Sequence, residues 1–259
     1  MSLYNIKEDE CTVLVKAIPH ASNNYFETVC CAGIGKDLKW RRLYPVAFRT
    51  LNQDQKFGRW SKISYKYKAP DKDKRLESQK VDHREIKVIG KITKDHEKLF
   101  ILNNIKRSSC REAFSKNETL TIIRPEILDF KFKRKKDSVI AKEIQKHSIL
   151  ANQLSFDSHQ IKPLNPCPYN FYFRWKDEDG EVHTNVCEDW ETSATYFTRL
   201  KSEISEKSAL QSMIETFGEQ YSKEGCLFAM GTHQRRSQQW LLVGIIKYPK
   251  TTSAQMSLF

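Results

Sequence analysis

The chain has 259 residues, of which 39% are hydrophobic, and this apolar content excludes a globally disordered protein because it can fill the cores of one or two domains. Its 44 Lys and Arg outnumber its 32 Asp and Glu, and the net charge of +12 favours polyanionic partners, most often nucleic acid. No segment approaches the ~18 apolar residues of a membrane span, and the start of the chain lacks the pattern of a signal peptide. We therefore expect a cytoplasmic protein with no membrane partner.

Residues 1–93 are predicted to form a β-rich, basic domain. CTVLVKAI and ETVCCAGIG are short apolar runs rich in β-branched residues, and SKISYKY and EIKVIGKI alternate polar and apolar residues as half-buried strands do. Turn-rich stretches separate these runs. Strands without long helices between them indicate a small barrel or a curled antiparallel sheet.

Residues 94–160 have a different character. Leu99, Leu102 and Ile105 recur at helical spacing, and a dense basic run precedes a second helix-compatible stretch. We interpret the segment as a helical, basic connecting region.

An α+β domain is predicted over residues 161–248. It starts in the proline-rich IKPLNPCPYN, which has the composition of a boundary. A hairpin turn, KDEDG, separates the predicted strands YNFYFRW and EVHTNV. Two helices follow, and Gly225 is placed to cap the second. CLFAMGTH and QQWLLVGIIKYP are predicted to form two more strands. The fold class is therefore α+β, with residues 249–259 as a flexible tail.

Basic and aromatic residues are interleaved in LKWRRLYPVAFR and GRWSKISYKYK. Cations neutralise phosphates and aromatic faces stack on unpaired bases. The same alternation arises in a strand with its aromatic residues inside and its charges outside, which we favour for most of the aromatic residues. The run KFKRKK is either a phosphate-binding patch or a solvated loop. The candidate residues for binding DNA or RNA are Lys39, Arg41, Arg42, Arg49, Arg59, Lys133, Arg134, Lys135, Lys136, Arg235 and Arg236.

The acids of HTNVCEDWE are the catalytic candidates. Grouped acids can hold Mg²⁺ for phosphodiester cleavage, so a nuclease would use His183, Glu188, Asp189 and Glu191 with Mg²⁺ as its cofactor. The alternative, which the pattern favours, is that Glu188 or Asp189 caps the following helix. The seven cysteines lack the paired spacing of zinc ligands, so we expect buried thiols and no metal site.

The last five residues carry the most specific signal. Gln255, Met256, Ser257, Leu258 and Phe259 resemble the bacterial sliding-clamp-binding motif, in which a Gln and an aliphatic residue precede Ser or Asp, Leu and Phe. The resemblance implies the DNA polymerase III sliding clamp as a partner, with the apolar side chains entering pockets on the clamp and the Gln amide forming hydrogen bonds. The alternatives are a tail folded onto its own domain and a chance match at the end of the chain.

The rest of the chain resembles hypothetical bacterial proteins through ETVCCAGIG, RRLYPVAFR and WLLVGI, which implies no activity. We expect a DNA-associated factor recruited to the replication clamp in replication, repair, antiviral defence or a mobile element, with nuclease activity left open. The alternatives are a non-catalytic adaptor or inhibitor of the clamp and a reader of structured or modified nucleic acid. DNA cleavage distinguishes the first from the second, and clamp binding distinguishes both from the third.

Overall fold

A computed structural model describes residues 6–22, 26–154 and 163–249. The chain forms two compact units, and both are discontinuous in sequence. The first unit contains residues 1–105 and 134–168, and the second contains residues 106–133 and 169–259. Residues 94–160, expected to be a helical and basic connecting region, therefore contribute to both units.

The elements follow one another along the chain. They are β1 (Lys7–Lys16), β2 (His20–Ser22), β3 (Phe26–Ile34), β4 (Trp40–Val46), β5 (Ser61–Lys68), β6 (Ser78–Lys91), α1 (Asp95–Ile105), β7 (Lys106–Arg107), α2 (Cys110–Ser115), β8 (Leu120–Ile123), β9 (Glu126–Arg134), α3 (Asp137–Leu154), β10 (Tyr169–Lys176), β11 (Val182–Val186), α4 (Trp190–Ser202), α5 (Glu206–Ile214), α6 (Tyr221–Glu224), β12 (Cys226–His233) and β13 (Arg236–Lys247). Short 3-10 turns lie at Phe48–Thr50 and Gln53–Gln55, and a π-helical stretch, Glu215–Gln220, joins α5 to α6.

The first unit is built on a closed five-stranded barrel. The strands are arranged β1-β5-β6-β4-β3, and β1 also pairs with β3, which closes the sheet on itself. The β4–β6 pair is parallel and the other four pairs are antiparallel. This is the strand order of the OB-fold, a five-stranded Greek-key barrel. The predicted barrel-like β-rich domain is confirmed.

β1 pairs with two neighbouring strands, and a register shift within it accompanies the change of partner. Its first half pairs with β5 and its second half with β3, and the register shifts between Val13 and Val15. Gly33 of β3 permits the close approach, since a Cβ there would lie 2.6 Å from the Thr12 carbonyl oxygen. Fully buried side chains from all five strands fill the barrel; they include Val13, Cys31, Leu43, Ile63 and Ile86.

The barrel also contains a chain of polar side chains. Asp9 accepts hydrogen bonds from Arg41 Nε at 2.6 Å and from Gln79 Nε2 at 3.0 Å. The Tyr65 hydroxyl in turn donates to Gln79 Oε1 at 2.6 Å. Burial raises the pKa of Asp9, but the hydrogen bonds from Arg41 and Gln79 outweigh it, and the net pKa lies below the ordinary value.

Helix α3 returns to the barrel and packs against β2 and β3. Glu27 of β3, which is buried, accepts hydrogen bonds from Arg49 Nη1 at 3.0 and 2.9 Å and lies 2.7 Å from His147 Nδ1 of α3. Desolvation raises the pKa of Glu27, but the hydrogen bonds from His147 and Arg49 lower it by more. The net pKa of Glu27 therefore lies below the ordinary value.

The second unit contains two sheets, β11-β10-β9 and β13-β12-β8-β7. Aromatic rings from both sheets and from the helix that continues α5 form its core. The Phe173 ring centroid lies 4.8 Å from that of Phe130 and 5.0 Å from that of Phe228, and Phe217 stacks on Phe130. Gly225 ends α6 with a φ of +100°, as its predicted capping role requires.

The two hairpins of this unit were predicted in their correct places. β10 and β11 flank the turn that contains Gly180, whose φ is +89°, and β12 pairs antiparallel with β13. The predicted α+β class is therefore confirmed for the chain. Across the described ranges, no helix has both the length and the apolar character needed to cross a membrane.

Candidate nucleic-acid interface

Almost all of the excess positive charge belongs to the barrel unit. Its sequence contains 27 Lys and Arg against 16 Asp and Glu, a net charge of +11, whereas the second unit contains 17 against 16, a net charge of +1. A polyanion is therefore attracted to the first unit far more than to the second.

Strand β5 presents lysines on the outer surface of the barrel. Ile63 and Tyr65 point into the barrel and are buried, so the alternating positions Lys62 and Lys66 point outward. Tyr65 thus confirms the expectation that aromatic residues of this stretch lie inside and its charges outside.

Lys87 of β6 lies on the same outer surface, because it pairs with Ser64 in the antiparallel ladder. We call Lys62, Lys66 and Lys87 the outer lysine row. Lys66 Nζ lies 3.1 Å from Oε2 of Glu85. Within the described part of the chain, Lys62 and Lys87 are exposed and have no ion pair, which leaves both ammonium groups available to phosphates.

Two of the predicted cations form ion pairs with acids of the same unit whose side chains are at most 10% exposed. Arg42 is buried and its Nη2 lies 3.0 Å from Oε1 of Glu77. Arg49 lies 2.9 Å from Glu27, as described above. These contacts give both arginines a structural role.

Arg41 and Arg59 are also engaged with the barrel, whereas Lys39 is exposed. Arg41 contacts Asp9, and Arg59 Nε donates to the Leu14 carbonyl oxygen at 3.0 Å. Among the five predicted barrel cations, Lys39 is the one whose side chain extends into solvent.

The basic run Lys133–Lys136 joins the end of β9 to the start of α3. Arg134 forms an ion pair with Asp137, and Lys135 Nζ lies 2.9 Å from Glu143. The other two lysines of the run are exposed. Arg235 and Arg236 are exposed in the second unit, at the turn between β12 and β13.

One exposed aromatic residue lies on β4, which is the third barrel strand in chain order. Tyr44 of β4 is 49% exposed, and its hydroxyl oxygen accepts a hydrogen bond from the Thr28 hydroxyl of β3 at 3.2 Å. OB-folds bind oligonucleotides on the face of their second and third strands, which here are β3 and β4. The exposed ring offers a stacking surface for an unpaired base on that face.

The four acid-cluster candidates are divided between two places. Asp189 is the N-cap of α4: it is buried and accepts hydrogen bonds from the Glu191 amide and the Thr192 hydroxyl. The amide of Glu188 donates to the Leu242 carbonyl oxygen. This is the capping arrangement that the sequence pattern favours over a magnesium site.

His183 lies instead beside Asp177 and Glu181, two acids that are not among the predicted catalytic residues. The three side chains lie close enough to share a metal ion. However, His183 Nε2 lies 2.7 Å from Asp177, and Glu181 accepts a hydrogen bond from Arg111 at 2.5 Å. Because each acid has a cationic or hydrogen-bonding partner, protein contacts account for the cluster. The sequence signal is the predicted hairpin turn KDEDG, whose second residue is Asp177.

Residues 255–259, the predicted clamp-binding segment, lie outside the described residues. So does most of the predicted tail over 249–259.

Comparison with known families divides the chain near the end of α1. Residues 104–259 match a domain of unknown function, DUF8757. The chain belongs to the DUF8757 family. Residues 7–104 match a second domain of unknown function, DUF8758. The DUF8758 match includes all five barrel strands, and the DUF8757 match includes α3 and every element of the second unit.

No curated protein matches the chain. Among solved structures, one similar chain comes from a replication protein A heterotrimer bound to single-stranded DNA. It is 10% identical, the alignment covers 100% of this chain and 69% of that one, and the TM-score is 0.27, which is too low to indicate a shared overall fold.

Proposed function

We propose that the barrel unit binds single-stranded nucleic acid and that residues 255–259 recruit the protein to the bacterial sliding clamp. The observation that supports the first part most directly is the division of charge: a net +11 on the barrel unit against +1 on the other. Phosphate neutralisation supplies most of the affinity in sequence-independent binding.

The local geometry agrees with a single strand as ligand. The outer lysine row provides cations on one surface of the barrel, and Tyr44 provides an exposed ring on β4. Barrels of this strand order bind single strands through a basic groove and aromatic stacking, at about 4–16 nucleotides per barrel.

Support for the second part comes from sequence alone. All five residues of QMSLF fit the clamp-binding pattern. A protein that is held at the clamp by a short peptide and also binds a strand gains affinity through effective concentration, even when each contact is weak. This arrangement would place the barrel on DNA that is being replicated or repaired.

A double variant, Lys62→Ala with Lys87→Ala, tests the first part. We expect weaker binding to a labelled oligothymidylate and a slope of log K against log salt that is less negative by about 1.4, since each lost phosphate contact contributes about 0.7 on a single strand. The matched control is Lys201→Ala with Lys207→Ala, which removes two exposed charges from the second unit.

The control pair should leave both affinity and salt slope close to those of the unaltered chain. An equal loss from the two double variants, or no binding to DNA or RNA at low salt, would contradict the proposal. Replacing thymidylate by uridylate in the same titration measures the preference between DNA and RNA.

A further inference from the structure

The second unit contains a cleft of about 630 Å³ whose lining is drawn from α2, β10, β11, β12 and β13. That volume lies within the range of small-molecule sites in proteins. Its base is formed by Trp175, which is fully buried. Phe114 and Val182 line it although each is about half exposed, so apolar surface that solvent now contacts would be covered by an occupant.

The base of the cleft is held rigidly by one amide. Asn185 Oδ1 accepts a hydrogen bond from Trp175 Nε1 at 2.9 Å, and its Nδ2 donates to the Trp240 carbonyl oxygen at 3.0 Å. The His183 ring lies over Trp175, with 4.6 Å between centroids and a tilt of 32°, and Asp177 fixes it from the other side at 2.7 Å. These contacts preorganise a site of flat rings.

Adjustable polar groups lie around these rings. Gln238 and Thr184 line the cleft and are exposed, and within the described residues no hydrogen bond of either side chain is present. A glutamine amide can donate and accept at once, and a threonine hydroxyl can do either. Together they can match the mixed donor and acceptor edge of a heterocycle.

The charges of the cleft disfavour a phosphate as its main ligand. Arg111 and Glu181 line it as a contacting pair, 2.5 Å between Nη2 and Oε2, and so cancel one another. The unit that contains the cleft carries a net charge of only +1. A neutral, planar ligand therefore fits this lining better than an anion.

We propose that this cleft binds a single unpaired nucleobase, presented by a nucleic-acid strand or by a free nucleoside. Stacking between aromatic side chains and hydrogen bonds to the base edge are the means by which proteins hold a base outside a duplex. Trp240, from the same lining, supplies a stacking surface, and Gln238 supplies the polar contact that distinguishes bases. If the base belongs to a nucleic-acid strand, this inference rests on the proposed function of the barrel unit. If the base belongs to a free nucleoside, the inference is independent of that function.

The test uses the full chain and measures tryptophan emission and calorimetric binding while adenosine, guanosine, cytidine and thymidine are added in turn. We expect at least one nucleoside to bind and to quench emission. Trp240→Ala should weaken its binding by about five- to a hundredfold, and Trp240→Phe should restore most of it. Gln238→Ala should weaken binding by about three- to tenfold.

Gln239→Ala is the matched control, because the next residue of β13 points to the opposite face of the strand and does not line the cleft. It should bind like the unaltered chain. Equal effects of Gln238→Ala and Gln239→Ala, or binding of ribose as tight as that of the nucleosides, would overturn the proposal.

Binding of oligonucleotides distinguishes this inference from the proposed function. An oligonucleotide with abasic sites should bind the full chain less tightly than its intact counterpart, and Trp240→Ala should remove that difference. If the Lys62→Ala and Lys87→Ala pair abolishes strand binding but nucleosides still bind, the cleft acts independently of the barrel. If strands bind and neither abasic sites nor Trp240→Ala matters, the cleft proposal fails while the proposed function stands. If no nucleoside binds, the cleft proposal also fails.

Discussion

His147 and Glu27, which are 120 residues apart in sequence, meet with 2.7 Å between Nδ1 and Oε1. Both side chains are buried, and Arg49 contacts the same carboxylate. This contact fastens α3 to the barrel. A buried carboxylate that loses a partner retains the full cost of its desolvation, so the pair should be sensitive to substitution.

We predict that His147→Ala lowers the free energy of unfolding of the barrel unit by about 1.5–3 kcal/mol, the usual contribution of a hydrogen bond to a charged group. Hydrogen exchange at the amides of α3 and β3, combined with urea denaturation, measures the loss. His96→Ala, at an exposed position of α1, is the control and should change neither. Protection of α3 that survives His147→Ala would show that the contact does not hold the helix.

Acid should destabilise the barrel partly through Asp9. Its pKa in the folded protein lies below the ordinary value of 3.8, so the unfolded chain takes up the proton first as the pH falls. The stability that Asp9 contributes is therefore present above about pH 5 and is lost as the pH falls through 3.8 toward the folded pKa. Asp9→Asn should flatten the acid limb of a plot of unfolding free energy against pH. An unchanged acid limb would count against the pairing with Arg41.

Arg42 and Lys39 should respond in opposite ways. Arg42→Ala removes the guanidinium from a largely buried ion pair and should cost roughly 3–5 kcal/mol of stability in urea denaturation, because the carboxylate of Glu77 loses the Arg42 charge. Removing Glu77 as well should recover part of the loss. Lys39→Ala should leave stability unchanged and weaken binding to an oligonucleotide slightly. Loss of binding by a stably folded Arg42→Ala variant would instead give Arg42 a direct contact with the ligand.

The clamp proposal predicts sharp effects at QMSLF. Leu258→Ala and Phe259→Ala should each nearly abolish binding of the full chain to a bacterial sliding clamp, because each leaves an apolar pocket unfilled. Gln255→Ala should weaken binding, and Thr252→Ala is the control that should change little. Surface plasmon resonance measures the binding. Melting temperatures that fall by many degrees in the first two variants, with clamp binding intact, would identify a segment packed on its own domain.

Local pattern predicted the strands well, and non-local pairing determined the rest of the fold. Ile63 and Tyr65 are buried while Lys62 and Lys66 face outward, as alternation alone requires. The closure of the barrel depends on β1 pairing with both β3 and β5, and no short-range pattern encodes that choice of partners. The return of α3 to the barrel depends in the same way on a contact between residues 120 positions apart.

The candidate site shows the same limit. The sequence shows which positions carry charge but not which cations have a distant acid as partner. Arg42 and Glu77 are 35 residues apart, and that separation conceals their ion pair. In the outer lysine row, Lys66 pairs with Glu85, which is 19 residues away in sequence. The alternation of β5 is sufficient to predict that Lys62 and Lys66 face outward. The aromatic cleft unites residues from five elements, which only the tertiary fold brings together.

The discontinuity of the barrel unit constrains its synthesis. A ribosome that has made Glu27 must add 120 more residues before His147 exists, and at about 5–20 residues per second that takes roughly 6–24 s. Once Lys91 has been made, the nascent chain contains all five barrel strands, but Glu27 still lacks its contact with His147 and pairs with Arg49. Part of the second unit, residues 106–133, is made before α3. The barrel unit can therefore be completed only after synthesis of the second unit has begun, and a fragment that ends at residue 105 would contain all five strands but lack the helix that packs against β3.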